Sequence, residues 1–251
     1  WKMQDVRYDV KVVLFSLFTR FAYQINIHRN KHLIVQAEWL RDGFSEMFGI
    51  PKERFIVCPP EQKKVVYNKI KIEHNVFTFI FVSTPDCHKN FETLCEATRM
   101  LEHKIGTGKF NVILTIKGDE NKYSKYLFSK FGKVSSIRFE GLMSKDKLYS
   151  YYDRADCLVF PSRIETWGLP ITEFAATGKP MLLSDLPFAH ETSAGCTNVA
   201  FFDPEDPIDL MGKMERMAKC DESILLNIPK KTIKSPAAYS WNDLFEQLLK
   251  Y

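Results

Sequence analysis

Nothing in this 251-residue chain approaches the ~20 consecutive apolar residues that a membrane span requires, and no secretory leader is visible at its start. There is no C-x-x-C pair. The six cysteines stand apart at 58, 87, 95, 157, 196 and 220, and the six histidines are equally scattered, which argues against a metal cage and for free thiols in a reducing compartment. A cytoplasmic protein is the expectation. Positive charge is in only small surplus, a net +4, so nucleic acid is not demanded as a partner. Repeats and low-complexity tracts are lacking too. What is present, 45% hydrophobic residues against 26% charged, supports a sizeable core and excludes a disordered chain. The first residue is Trp1 rather than Met, which reads as a fragment or a processed chain.

Taken in order, Val10, Val13, Leu14, Leu17, Phe18, Phe21 and Ile25 recur at helical spacing, with Lys11 and Arg20 off the stripe. Such a stripe fits a domain core or a membrane surface; the core is the reading taken here. Leu33-Ile34-Val35-Gln36 reads as a strand, 38–48 as a helix closed by Gly49-Ile50-Pro51, and Phe55-Ile56-Val57 as a strand ending at Pro59-Pro60. Residues 61–76 read as a linker and entry. From Phe77 the pattern is regular: apolar runs at 77–82, 112–116, 137–139, 157–160, 181–183 and 199–202 alternate with helices over 91–101, 122–131, 145–152, 170–177 and 208–217. Strands without polar alternation, separated by helices, predict an α/β doubly wound parallel sheet with its ligand at the carboxyl ends of the strands. After an irregular stretch over 228–239, Ser240 is placed to cap a terminal helix at 241–250.

Candidate chemistry gathers in the loops after strands. Lys89, with His88, stands beside the helix that Asn90 is placed to cap. A cation at that positive helix end calls for an anion, so the loop points to a phosphate site, or else to a solvated surface lysine. Glu165 precedes the helix that opens at Gly168-Leu169-Pro170, where Pro170 suits the first helical position, and Glu173 sits on its first turns. Taken alone, two carboxylates there favour the helix dipole and do nothing more.

Glu165 and Glu173, with seven residues between them, follow Pro161-Ser162 and enclose Gly168-Leu169-Pro170. The pattern resembles the E-x7-E signature of retaining glycosyltransferase family 4, of the GT-B fold. The resemblance implies a complete Rossmann-like C-terminal domain over 77–239 and an incomplete N-terminal (acceptor) domain in residues 1–60. It implies a terminal helix at 240–251 returning toward that N-terminal domain. It also implies transfer of a sugar, with retention, from a UDP-, GDP- or ADP-sugar to a saccharide or lipid-linked saccharide acceptor, as in polysaccharide or glycoconjugate assembly, without cofactor or metal. By the same resemblance Lys89 binds the donor diphosphate, Glu165 contacts the donor sugar and Glu173 takes the ribose hydroxyls, a task suited to a carboxylate. Backbone N–H groups of Thr166, Trp167, Gly168 and Leu169 face the diphosphate.

Thr84 stands near where many members carry an arginine. Phe139-Glu140-Gly141-Leu142-Met143 resembles the base-binding F-x-G-x loop, assigning Gly141 and Met143 to the nucleotide; a plain turn would look the same. Gly118 resembles a family glycine, with a structural role the expectation. Arg163 could reach a phosphate or make a surface salt bridge, and Glu191 is given to a helix terminus. The chain alone is expected to bind nucleotide but transfer poorly, and the missing N-terminal part leaves room for peripheral attachment to the inner membrane face. A nucleotide-sugar epimerase and a non-catalytic nucleotide-sugar-binding subunit are the alternative functions.

Overall fold

The computed structural model describes residues 6–8, 10–61 and 76–250; all but the two end residues of the expected linker at 61–76 lie outside them. Its centre is a six-stranded sheet: β3 (Phe77–Phe81), β4 (Phe110–Leu114), β5 (Ile137–Phe139), β6 (Cys157–Phe160), β7 (Met181–Ser184) and β8 (Val199–Phe202). Every pairing is parallel, and the spatial order is β5-β4-β3-β6-β7-β8. The chain winds outward from β3 in one direction, crosses back, and winds outward from β6 in the other. That reversal opens a crevice beyond the carboxyl ends of β3 and β6. β6 and β7 are buried along their whole length, as unbroken apolar runs require when helices cover both faces.

Those helices are α3 (Phe91–Ile105), α4 (Lys122–Phe131), α5 (Lys145–Arg154), α6 (Leu169–Ala175), α7 (Pro187–Thr192) and α8 (Pro207–Ala218). The core they enclose is rich in phenylalanine: Phe81 lies against Phe91 at 4.6 Å and edge-on to Phe160 at 5.7 Å. Gly118, with φ +98°, is a packing glycine, because a Cβ there would stand 2.6 Å from that of Phe128. The six-residue α7 was not expected, since one and a half turns leave no readable period.

A smaller β-α-β piece precedes the sheet: β1 (Leu33–Val35) pairs in parallel with β2 (Phe55–Val57), linked by α2 (Glu38–Phe48). The final residues return to it. Val57 receives a bond from Ala238 and donates one to Pro236, so the irregular stretch before α9 (Trp241–Leu249) adds to the small sheet. Leu244 of α9 packs on Ile56, and the Ser240 hydroxyl caps the helix at the Asp243 N–H.

Two expectations need correction. The stripe of α1 (Val10–Asn26) is not core: Leu14, Phe18 and Phe21 are 61%, 67% and 60% exposed. A two-stranded sheet offers too little apolar surface for it. α1 instead meets α2 through Tyr23, whose ring stands 5.6 Å from Phe44. Asn90 occupies the N-cap position of α3, but its side chain makes no capping bond. Fully buried and in the left-handed region (φ +58°), it donates to the carbonyls of Pro161 (3.0 Å) and Pro204 (2.8 Å) and accepts from Thr93. It ties the loop after β6 to the loop after β8.

Replacing Asn90 by Ala therefore strands buried carbonyls and forces a Cβ-bearing residue with no compensating side-chain bond into the left-handed region, and is expected to cost about 2–4 kcal/mol. Asn90→Gly should cost less, about 1–3 kcal/mol, because only the first penalty remains. Urea unfolding of both variants checks the order.

Candidate functional site

The loops after β3, β4, β5 and β6 enclose a crevice of about 420 Å³. Ser83, Thr84 and Lys89 line it from the β3 loop, Thr115 from the end of β4, and Leu142, Met143 and Leu148 from the β5 side. Glu165, Thr166, Trp167, Gly168, Leu169 and Pro170 line it from the loop after β6 and the start of α6. Gln36 and Pro60 close it from the smaller piece.

Across it lies one ion pair. Lys89 Nζ donates to both oxygens of Glu165, at 2.7 and 2.9 Å. The side chains are only 16% and 12% exposed, so each charge depends on the other for solvation that water does not supply. The anion that the sequence asked for beside Lys89 is thus Glu165, seventy-six residues away in the chain.

The loop carrying Glu165 is held on several sides. Gly168 is the N-cap of α6 at φ +89°, with Pro170 in the first turn. A Cβ at Gly168 would approach Ile171 Cδ1 to 3.1 Å, so backbone, not side chain, faces the crevice there. The Trp167 carbonyl accepts from the Thr192 hydroxyl. In the first turn of α6 Pro170 has no N–H and the Ile171 N–H donates to the Gly168 carbonyl at 2.9 Å, so the Leu169 N–H and the loop before it are the donors without an acceptor in the helix.

The remaining expected residues fall in different places. Thr84 lines the crevice with its hydroxyl bonded to Asp86 at 2.6 Å. Gly141, at φ +76°, donates to the Ile116 carbonyl at 3.2 Å and turns the chain toward Leu142 and Met143. Glu173 lies one turn along α6, half-buried and outside the crevice lining. Burial raises its pKa above the usual carboxylate value, against the pull of the Lys145 charge and a Tyr152 hydrogen bond. Arg163 is not with the others. It donates to Glu205 at 3.0 Å and to the Cys87 carbonyl at 3.2 Å, beside a separate depression with Asp185 and Asp203. Glu191 does hold a helix terminus, but that of α2, far off in sequence.

Gln36, Pro60, Ser83 and Thr115 line the site without having been singled out. Thr115 is the first residue after β4 and Ser83 the second after β3, positions that could have flagged them; Gln36 and Pro60 depend on how the smaller piece docks. Among the described residues no cluster of three or more His, Cys, Asp or Glu could hold a metal ion. No helix of the described residues is long and apolar enough to cross a membrane.

Comparison with known proteins bears on this geometry. Residues 62–234 match the family model described as Glycosyl transferases group 1. The O-antigen chain mannosyltransferase RfbU of Salmonella typhimurium is 22% identical over 83% of this chain and 57% of its own length. The N,N'-diacetylbacillosaminyl-diphospho-undecaprenol alpha-1,3-N-acetylgalactosaminyltransferase of Campylobacter jejuni is 22% identical over 94% of this chain and 62% of its own. The chain thus spans less than two thirds of the length of these relatives. Among solved structures, TarM superposes with a TM-score of 0.64 at 17% identity, covering 90% of this chain and 44% of that one. Anabaena HepE, solved with UDP and glucose, gives 0.59 at 16% identity, covering 77% and 55%.

The raised pKa of Glu173 makes a stability prediction. A carboxyl that binds its proton more tightly when folded stabilises the fold most below its unfolded pKa, near 4.5, and loses that contribution as pH rises through the folded value. Glu173→Gln is therefore expected to raise the Tm of the ligand-free protein at neutral pH, with the gain shrinking as pH falls toward 4.5. A Tm series against pH for both proteins checks it.

Proposed function

Because the chain belongs to the glycosyl transferases group 1 family, we propose that it supplies the nucleotide-sugar side of a retaining glycosyltransferase of family 4 with the E-x7-E signature. The enzyme moves a sugar from a nucleoside diphosphate to an acceptor hydroxyl in O-antigen or related glycoconjugate assembly. The observation that carries this reading is the Lys89–Glu165 pair in a crevice at the point where the sheet reverses direction. The transferase names of the relatives support it; the resemblance alone supports retention, and a lipid-linked acceptor would bring the enzyme to a membrane face.

In this reading the donor diphosphate replaces Glu165 as the partner of Lys89, and backbone N–H groups at Thr166 to Leu169 share its charge. Glu165, released, turns to the hydroxyls of the donor sugar. As the bond from the anomeric carbon to phosphate oxygen breaks, the electron pair stays with the diphosphate. Lys89 and the oriented N–H dipoles stabilise it there without a divalent cation. α6 has only seven residues, so local N–H groups contribute more than a long helix dipole would. Leu142 and Met143 lie against the base; the ribose hydroxyls are assigned to Glu173 by the resemblance alone, since it stands one turn beyond the crevice lining. Thr84 gives the diphosphate a neutral contact; Arg163, bonded to Glu205, takes no part.

A thermal-shift panel of UDP, GDP, ADP and their sugars tests the reading, since a ligand of the folded state raises Tm. One nucleotide series is expected to shift the protein, and absence of any shift at millimolar ligand contradicts the proposal. The pair also predicts opposite signs. Lys89→Ala should weaken the free nucleoside diphosphate by about 1.5–3 kcal/mol, as loss of a charged hydrogen bond does. Glu165→Gln, which removes the competitor for Lys89, should leave that affinity unchanged or tighter while weakening the intact sugar nucleotide and lowering transfer.

A further inference from the structure

α2 begins badly by its own means. Its N-cap is Ala37, a buried residue with no side-chain acceptor to offer the first-turn N–H groups. The cap comes from elsewhere in the chain. Glu191, near the end of α7, accepts from the N–H of Glu38 at 2.5 Å with one carboxylate oxygen and from that of Trp39 at 2.9 Å with the other. Charged hydrogen bonds of this kind are about twice as strong as neutral ones.

The arrangement brings a second carboxylate, Glu38, to the same helix end, and the structure offsets it. Glu38, only 3% exposed, is bonded by Arg41 at 2.8 Å, by the Lys234 N–H at 2.9 Å and by Lys231 at 2.8 Å. A site that gathers two carboxylates and neutralises one with two cations is held for the position of its parts.

The next residue faces the other way. Thr192, 5% exposed, donates its hydroxyl to the carbonyl of Trp167, in the loop that lines the crevice from the large sheet. Gln36, which lines the crevice from the opposite side, stands two residues before the capped N–H of Glu38. One short helix therefore grips both walls through consecutive residues.

The geometry points to Glu191 and Thr192 as paired positioning residues, a latch that sets the backbone of Thr166 to Leu169 according to whether the Gln36 wall is docked. The inference rests on the proposed role of that backbone in holding a diphosphate. Docking of the smaller piece and readiness of the anion cradle are then coupled: when α2 leaves Glu191, α7 keeps its core contacts through Phe188 and Ala189 but loses the support on its far side, and the Thr192 hydroxyl holds Trp167 less firmly.

Hydrogen–deuterium exchange on the full chain without ligand tests the coupling, comparing wild type with Glu191→Gln, Glu191→Ala and Thr192→Val. Both Glu191 variants are expected to speed exchange at the first turn of α2 roughly fivefold, the effect of losing a cap. The latch further requires faster exchange at the Ile171 N–H, which donates to the Gly168 carbonyl at 2.9 Å and so reports whether that turn is held. Thr192→Val should speed exchange at Ile171 and, because coupling is reciprocal, at the first turn of α2 as well, and Thr192→Ser should restore both. If the Glu191 variants loosen α2 alone, the cap is local and the inference is overturned. Glu191→Gln keeps the volume and one acceptor, so it decides the matter should the alanine variant fail to fold.

Titration with UDP, GDP and ADP completes the test. The nucleotide that binds wild type should bind Glu191→Gln and Thr192→Val several-fold more weakly, and equal affinity in all three overturns the positioning role. If none binds wild type, the functional reading fails while the ligand-free exchange still decides the latch.

Discussion

The ion pair between Lys89 and Glu165 is the contact on which the rest of the site depends, and sheet topology creates it. The pair joins the loop after β3 to the loop after β6, strands that are neighbours only because the winding order reverses between them. Neither side chain has much access to water, so removing either partner would leave a buried charge unsolvated. In the proposed function an incoming diphosphate substitutes for the carboxylate of Glu165 without Lys89 losing a counter-charge. On that proposal the displaced carboxylate finds compensation in the hydroxyls of the donor sugar, and the pair keeps the crevice ready for an anion while unliganded.

The framework around the pair explains why its geometry holds. Asn90, next to Lys89, has spent its side chain on the carbonyls of Pro161 and Pro204, so the loop bearing the cation and the loop bearing Glu165 move as one. Gly168 and Pro170 give the opposite wall a fixed turn into α6. The smaller piece is fastened through Glu191 and through the chain end, where residues 236–238 pair with Val57 and Leu244 packs on Ile56. The crevice is a property of both pieces together, since Gln36 and Pro60 complete it.

Much of this was legible in the sequence because burial on both faces of a parallel sheet leaves a local record. The runs at 137–139, 157–160 and 199–202 become β5, β6 and β8 without change of boundary, and α4 begins and ends where its pattern does. Candidate residues read from strand ends, Lys89 and Glu165 above all, do converge. The partnerships themselves left no such record. Glu191 meets the start of α2 across 153 positions, and no spacing rule reaches that far. Asn90 looked like a cap because it stands where caps stand, but burial gave its side chain better partners. The stripe of α1 showed which residues share a face without showing what that face meets.

The most direct test is a crystal structure of the chain with the nucleoside diphosphate that stabilises it. The account requires a diphosphate oxygen within hydrogen-bond distance of Lys89 Nζ and the Glu165 carboxylate moved away from its present 2.7 Å contact. A nucleotide bound elsewhere, with the Lys89–Glu165 pair still closed, would contradict it.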